Sequence, residues 1–278
     1  LPQTSMSEED RKERGIRDRL LEINKIAATY YYRQLRSENG KAGLDYLKKR
    51  ELSDSTINSF GLGYATQSTG NLYKLLKDKG YDDDILKESG LFTYERGIHE
   101  KFWNRVIFPI MDINNKVIGF GGRVMGDAKP KYLNSPETRL FDKSRNLYGL
   151  NIARTSRKPN MIICEGYMDV ISMHQAGFNQ AVASLGTALT PGHARLLKRY
   201  TDNVLITYDS DEAGVKAALR AIPLLKEAGL STKVINMRPY KDPDEFIKAM
   251  GAEAFQERID NAENSFMYEI GCSKACYI

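Results

Sequence analysis

Six carboxylates define the chemistry open to this chain: Glu165, Asp169, Asp209, Asp211, Asp242 and Asp244. Glu165 closes the apolar run MIIC, Asp169 follows four residues later, and Asp209 and Asp211 form a D-x-D after the run NVLITY. Asp242 and Asp244 come just beyond a further strand-like stretch, STKVINM. Carboxylates gathered into one small volume repel each other unless cations neutralise them. Oxygen-only ligands with no His or Cys nearby select Mg²⁺, or Mn²⁺ as a substitute, over zinc. Clusters of this kind hold two metals about 4 Å apart, which polarise a phosphoryl group, lower the pKa of an attacking hydroxyl and stabilise a leaving pyrophosphate. Taken singly, each residue has an ordinary role, as a strand-end turn, a favourable charge at a helix amino terminus or a helix cap. Only their joint placement carries the chemistry.

That placement depends on the elements around them. After Asn160 a regular alternation begins: MIICEG, QAVASLG, NVLITYD and STKVINM read as strands, separated by helical stretches YMDVISMHQAG, TPGHARLLKRY and GVKAALRAIPLLKEAG. Near-continuous apolar strands alternating with helices imply parallel pairing with helices on both faces. Ligand sites of such sheets form at the carboxyl ends of the strands. If the first and third strands are neighbours, the acidic residues share that edge. The stretch after Lys241 reads as helical. Residues 159–240 are therefore expected to form the doubly wound sheet and 241–271 a helical, truncated segment, while 7–158 make an amino-terminal domain. The ends, 1–6 and 272–278, are set aside as non-native sequence.

The amino-terminal part opens with an amphipathic helix expected from Glu9 to about Glu38, followed by short helices over residues 43–50, 53–60, 71–79 and 82–88. FWNRVIFPIMD and KVIGFGGRVMG read as two strands joined at Asn114-Asn115. Gly119, Gly121 and Gly122 allow a bulge or close backbone approach to a ligand. A long polar stretch, PKYLNSPETRLFDKSRNLYGL, follows and is expected to be an ordered functional loop. Arg105, Arg123, Lys129, Lys131, Arg139, Lys143 and Arg145 fall in this region. Positive charge there would grip phosphate through charge-assisted hydrogen bonds. Tyr132, Phe141 and Tyr148 are expected to anchor the loop.

The bounds are broad. The chain has 278 residues, 41% hydrophobic and 28% charged, so two folded domains are expected. Its net charge of +5 is too mild to imply nucleic-acid binding. No apolar run reaches the roughly eighteen residues of a membrane span. A cytoplasmic monomer is expected. Cys164, Cys272 and Cys276 cannot make a disulfide framework, and His99, His174 and His193 lack zinc-ligand spacing, so no zinc is expected.

EGYMD, ASLGT and YDSDEAG, each after an apolar strand, resemble the TOPRIM domain shared by primases, topoisomerases and some nucleases. Upstream, FPIMD, GFGGRV, PKYLNSPET and LYGL resemble the basic subdomain of DnaG-type primases. The resemblance implies an α/β (α+β) fold, with a basic mixed α/β subdomain before a mainly parallel TOPRIM sheet. It implies that Glu165, Asp209 and Asp211 are the metal-binding and catalytic acids, with Asp169, Asp242 and Asp244 as accessory metal ligands. Arg123, Lys131 and Lys143, with Arg50 and Arg105 as further matches, are implied to bind triphosphates, primer or template. The implied activity is two-metal synthesis of short RNA primers from ribonucleoside triphosphates on single-stranded DNA during replication, with inhibition by guanine alarmones. A zinc-binding domain and a helicase-binding domain belong to such primases, and the regions that would form them are expected to lie outside this stretch. Two other readings remain open at this point: another TOPRIM enzyme, a topoisomerase or nuclease, or a non-catalytic nucleic-acid-binding module.

Overall fold

The computed structural model describes residues 7–275, so the expected non-native stretch 1–6, residues 276–278 and Cys276 lie outside it. The chain divides into two compact units between Asp142 and Lys143.

In the first unit, helix α1 (Glu8–Leu35) starts at a reciprocal cap. The Ser7 hydroxyl accepts from Asp10 N–H at 3.1 Å, and the Asp10 carboxylate accepts from Ser7 N–H at 3.2 Å. Leu20, Ile23, Ala27, Tyr31 and Leu35 form the buried stripe that the three-four spacing predicts. The helix ends at Leu35, and Glu38–Gly40 make a separate 3₁₀ turn. Helices α2 (Lys41–Lys49) and α3 (Asp54–Ser59), strand β1 (Gly63–Ala65), helices α4 (Asn71–Asp78) and α5 (Asp83–Glu88), and the pair β2 (Phe92–Thr93) and β3 (His99–Glu100) follow. Then come β4 (Arg105–Met111), β5 (Val117–Val124) and β6 (Tyr132–Asn134). They pair antiparallel in the order β1-β4-β5-β6. Two of these four strands escape the sequence reading: β1 and β6 have three residues each, too short for a period to show. β6 also shows that the polar stretch starts as sheet. Gly122 serves packing: a Cβ there would lie 2.8 Å from the Phe102 ring. Leu20, Ile23, Phe92, Phe102, Ile107 and Phe120 belong to one core on this unit's helical side.

The second unit contains α6 (Leu150–Ala153), β7 (Met161–Cys164), α7 (Tyr167–Gln175), β8 (Ala181–Ala183), α8 (Pro191–Lys198) and β9 (Asn203–Ile206). It continues through α9 (Glu212–Glu227), β10 (Ser231–Val234), α10 (Pro243–Asp260), β11 (Glu263–Asn264) and α11 (Ser265–Ala275). The sheet order is β11-β10-β9-β7-β8, with β10, β9, β7 and β8 parallel and β11 an antiparallel edge. The first and third sequence-predicted strands, β7 and β9, are indeed neighbours, in the register Met161↔Val204 to Ile163↔Ile206. Helix α8 packs on α9, and α7 on α10. Thr190 caps α8 by accepting from His193 N–H at 3.1 Å, with Pro191 in the first turn.

Contacts divide the chain sixteen residues before the junction at 158/159 drawn from the sequence. Residues 143–158 pack within the second unit. Tyr148 exchanges backbone hydrogen bonds with Ala183 at 2.8 and 3.1 Å, and Leu147, Leu150 and Ala153 enter the core with Val182, Ile206 and Ile222. Cys164 is buried and free, as expected of a thiol packed as a small hydrophobe. No described helix is long and apolar enough to cross a membrane.

Candidate active site

All six acidic residues stand at the carboxyl ends of β7, β9 and β10 or in the first turn of the helix that follows. Glu165 directly follows β7, and its Oε1 accepts the Asp209 backbone N–H at 3.1 Å, tying the ends of the two neighbouring strands together. Asp169 lies in the first turn of α7 and accepts Gly166 N–H at 3.2 Å. Asp211 is the N-cap of α9, accepting Gly214 N–H at 2.9 Å. Gly214 has no alternative here, because a Cβ would sit 2.0 Å from the Asp209 carbonyl oxygen. The tight D-x-D turn and the glycine that closes YDSDEAG are therefore one device.

The loop after β10 is bound to the loop after β9. Ser210 N–H donates to the Lys241 carbonyl at 2.8 Å and its hydroxyl donates to the Tyr240 carbonyl at 3.0 Å. Asp242 then caps α10 by accepting Glu245 N–H at 2.8 Å. Asp244 is buried, accepts the Ser172 hydroxyl at 2.5 Å and pairs with Lys248 at 2.9 Å.

Electrostatics show that these groups feel one another. Burial, then the Asp209 charge, pushes the Glu165 carboxyl above its ordinary range. Burial raises Asp169 well above its usual value, with Asp242, Asp209 and Asp244 adding repulsion. Asp209 is raised by burial and by Asp242 and Asp211, and Lys241 opposes the shift from 3.4 Å. Lys241 is raised in return, chiefly by Asp209. Among the described residues, no three acidic side chains converge on one ligating point. The donor set nevertheless fits a hard divalent cation by its chemistry: oxygen only, partly desolvated and carrying more negative charge than Lys241 and Lys248 offset.

The basic residues named from the sequence take different roles. In the first unit, Arg50 caps the end of α2 and donates to the Tyr46 hydroxyl at 3.2 Å. The Arg123 guanidinium lies 4.4 Å over the Tyr46 ring and donates to the Val124 carbonyl at 2.7 Å, while its Nε is buried without a partner. Tyr132 stands opposite Arg123 across β5 and β6 and is hydrogen-bonded to Tyr46. Lys131 is exposed beside it. Arg50, Arg123 and two tyrosines are thus brought together in this unit. Arg105 does not join them as a solvent-facing cation. It is 5% exposed, and its guanidinium donates to the Gly122 and Lys131 carbonyls at 3.1 and 3.3 Å. Arg139 is held between Glu13 and Glu88. Lys143 belongs to the second unit, where its carbonyl accepts from the His193 ring at 2.7 Å. Phe141 and Tyr148 are buried anchors, whereas Tyr132 is 38% exposed.

Sequence reasoning missed Lys241, Lys248 and Tyr46. Their only signals are spacing: a lysine directly before Asp242, a lysine four residues after Asp244 on one helix face, and a tyrosine one turn before Arg50.

Residues 30–154 match the family model of the DNA primase catalytic core, N-terminal domain, and residues 162–247 match the Toprim-like model. A DNA primase from Clostridium acetobutylicum is 49% identical over 255 residues, covering 91% of this chain and 42% of that protein. A solved DnaG primase catalytic domain bound to single-stranded DNA is 36% identical, with TM-score 0.86 over 93% of this chain and 83% of that one. The Escherichia coli primase catalytic core is 37% identical, with TM-score 0.84 over 91% and 83% of the two chains. The chain spans about two fifths of the length of the curated relatives it matches.

Proposed function

We propose that this chain, which belongs to the DnaG-type DNA primase family and carries that family's catalytic core, joins ribonucleoside triphosphates into short RNA primers on single-stranded DNA. The observation that carries this reading is the coupled acidic edge, in which Glu165 and Asp209 end adjacent parallel strands and are tied by a hydrogen bond.

In the reaction, a hydroxyl oxygen of the initiating nucleotide or the primer 3′ end bonds to the α-phosphorus of an incoming triphosphate. The bridging α–β P–O bond breaks, pyrophosphate leaves, and the hydroxyl proton passes to a nearby base or to solvent. Mg²⁺, with Mn²⁺ as a substitute and two ions in the full site, supplies charge neutralisation and Lewis acidity when bound. Glu165, Asp209 and Asp211 are the residues that would hold it, with Asp169, Asp242 and Asp244 completing the set. Arg50, Arg123, Lys131 and Lys143 supply donors for triphosphate, primer or template. The Tyr46 and Tyr132 rings beside Arg50 and Arg123 add faces against which bases can stack.

Asp209→Ala or Asp211→Ala is expected to abolish primer synthesis from labelled ribonucleotides on a single-stranded template, with the far-ultraviolet spectrum and melting cooperativity retained. Synthesis at the wild-type rate would remove the assignment. A guanine alarmone is expected to displace labelled GTP from the protein, and an absence of competition in that binding assay would end the extension to alarmone inhibition.

A further inference from the structure

A cavity of about 140 Å³ opens beside Glu165, walled by the loop between β8 and α8 and by one face of α9. An engineered hole of about 150 Å³ admits benzene, so this one has room for a single ring, and it is well short of the several hundred Å³ that hold a whole drug-sized ligand. Its apolar wall is made by Leu189, Ala217 and Ala221. The polar residues that line it are Glu165, Arg220, Ser184, Thr187 and Tyr208. Arg220 sits on the exposed side of α9 and pairs with no carboxylate or carbonyl among the described residues.

These groups select among ring-sized occupants. A phosphate, which only accepts, could pair with Arg220 but would leave the Glu165 carboxylate facing like charge without a donor, and a purely apolar ring would strip five polar residues of water without replacing their hydrogen bonds. A furanose sugar with two adjacent hydroxyls presents one apolar face and two groups that both donate and accept, matching a carboxylate acceptor, a guanidinium donor and three hydroxyls. The cavity shares Glu165 with the acidic edge, whereas Asp169 and the acids that raise it, Asp242, Asp209 and Asp244, do not line it. A sugar seated there places its hydroxyls next to the carboxylate that is tied to Asp209.

We propose that this cavity is the ribose subsite for the attacking nucleotide, the initiating or 3′-terminal one, and that Arg220 with Thr187 reads its 2′-hydroxyl. The inference rests on the polymerase reading and adds to it a residue that discriminates ribose from deoxyribose. Arg220 acts here as a specificity-determining contact, separate from the acidic groups that serve the chemistry.

Two measurements test it. Primers of one sequence, ended by a ribonucleotide or a 2′-deoxynucleotide, are extended by one nucleotide on a single-stranded template. The wild-type protein is expected to favour the ribose end by about tenfold, the value of one well-made hydrogen bond, and Arg220→Ala to bring that ratio near one. A ratio unchanged by Arg220→Ala overturns the proposal. In the second measurement, methyl signals of Thr187, Ala217 and Ala221 are followed by NMR while adenosine or 2′-deoxyadenosine is added. Adenosine is expected to shift them at about tenfold lower concentration, and Ala217→Leu, which fills the cavity, to remove the response. Equal responses to the two nucleosides, or none to either, overturn the proposal. Ribose-selective shifts in a protein that extends no primer would keep the ribose subsite and overturn the polymerase reading, so the two failures are distinguishable.

Discussion

The acidic edge of the second unit and the basic cluster of the first are built from opposite strategies. At the acidic edge, four of the six carboxylates are held by backbone N–H groups: Asp211 and Asp242 cap their helices, Asp169 accepts Gly166 N–H, and Glu165 accepts Asp209 N–H from the neighbouring loop. Secondary structure itself puts these groups in place, and the strain that results is electrostatic, seen in the raised Glu165, Asp169 and Asp209. In the basic region the cations are shared out. Arg105 holds the sheet together, Arg139 serves a surface ion network, and Arg123 is stacked on Tyr46. Carboxylates gathered at these strand ends accumulate mutual repulsion, whereas a cluster of arginines in a sheet is partly scaffold.

The largest effect that could break this contrast concerns Arg105. Its guanidinium bridges the Gly122 and Lys131 carbonyls from inside the sheet. Arg105→Ala leaves those buried acceptors unpaired and is expected to lower unfolding free energy by about 1–3 kcal/mol, measured by urea denaturation. Asp209→Ala, by contrast, is expected to leave the urea midpoint unchanged or higher. If Arg105→Ala unfolded like the wild type, the division between scaffold cation and working acid would not hold.

The same contrast explains what was legible in the sequence. Strands β7, β8 and β9 showed because strands within a parallel sheet read as short apolar runs, and Glu165 and Asp209 showed because they stand just after those runs stop. β1, β6 and β11 carry two or three residues and hence no readable period. The long polar stretch read as loop because β6 is half-exposed and lies between prolines. Residue type could not separate Arg105, spent on carbonyls, from Arg50 and Arg123, because burial is a tertiary property that appears only once β5 and β6 close over it. Arg220 was missed for the converse reason: on α9 it looks like any arginine on a solvated helix face, and only the cavity beside Glu165 distinguishes it. The junction shifted because Leu147 and Leu150 pack inward, although they follow a polar run that resembles a linker.

An intermediate effect sharpens the electrostatic half. Burial and neighbouring acids raise the folded-state value of Asp169 above its unfolded one. Folding therefore carries no penalty from this group below the ordinary carboxylate range, and stability is lost as pH rises through the raised value. Asp169→Asn keeps an acceptor for Gly166 N–H but cannot ionise. The variant is expected to melt at a higher temperature than the wild type at neutral pH without divalent cations, with the difference closing as pH falls toward 4. A gap that widened in acid would mean that Asp169 stabilises as an anion, and the acidic edge would then be scaffold like Arg105.

The smallest effect is the most selective. Lys131 is exposed, precedes β6, and contributes its carbonyl to Arg105 through the backbone, so its side chain is free of that structural task. Removing one phosphate-contacting cation weakens single-strand binding nearly uniformly across sequences and lowers the slope of log K against log salt by about 0.7. Lys131→Ala is accordingly expected to leave the melting temperature unchanged, to reduce affinity for an unstructured oligonucleotide at low salt, and to converge with the wild type as salt is raised, read by fluorescence anisotropy. A slope equal to the wild type would place Lys131 outside the nucleic-acid path. The working cations of the first unit would then narrow to Arg50 and Arg123, where charge is already committed to the Tyr46 ring and base stacking, rather than phosphate neutralisation, would have to provide most of the grip.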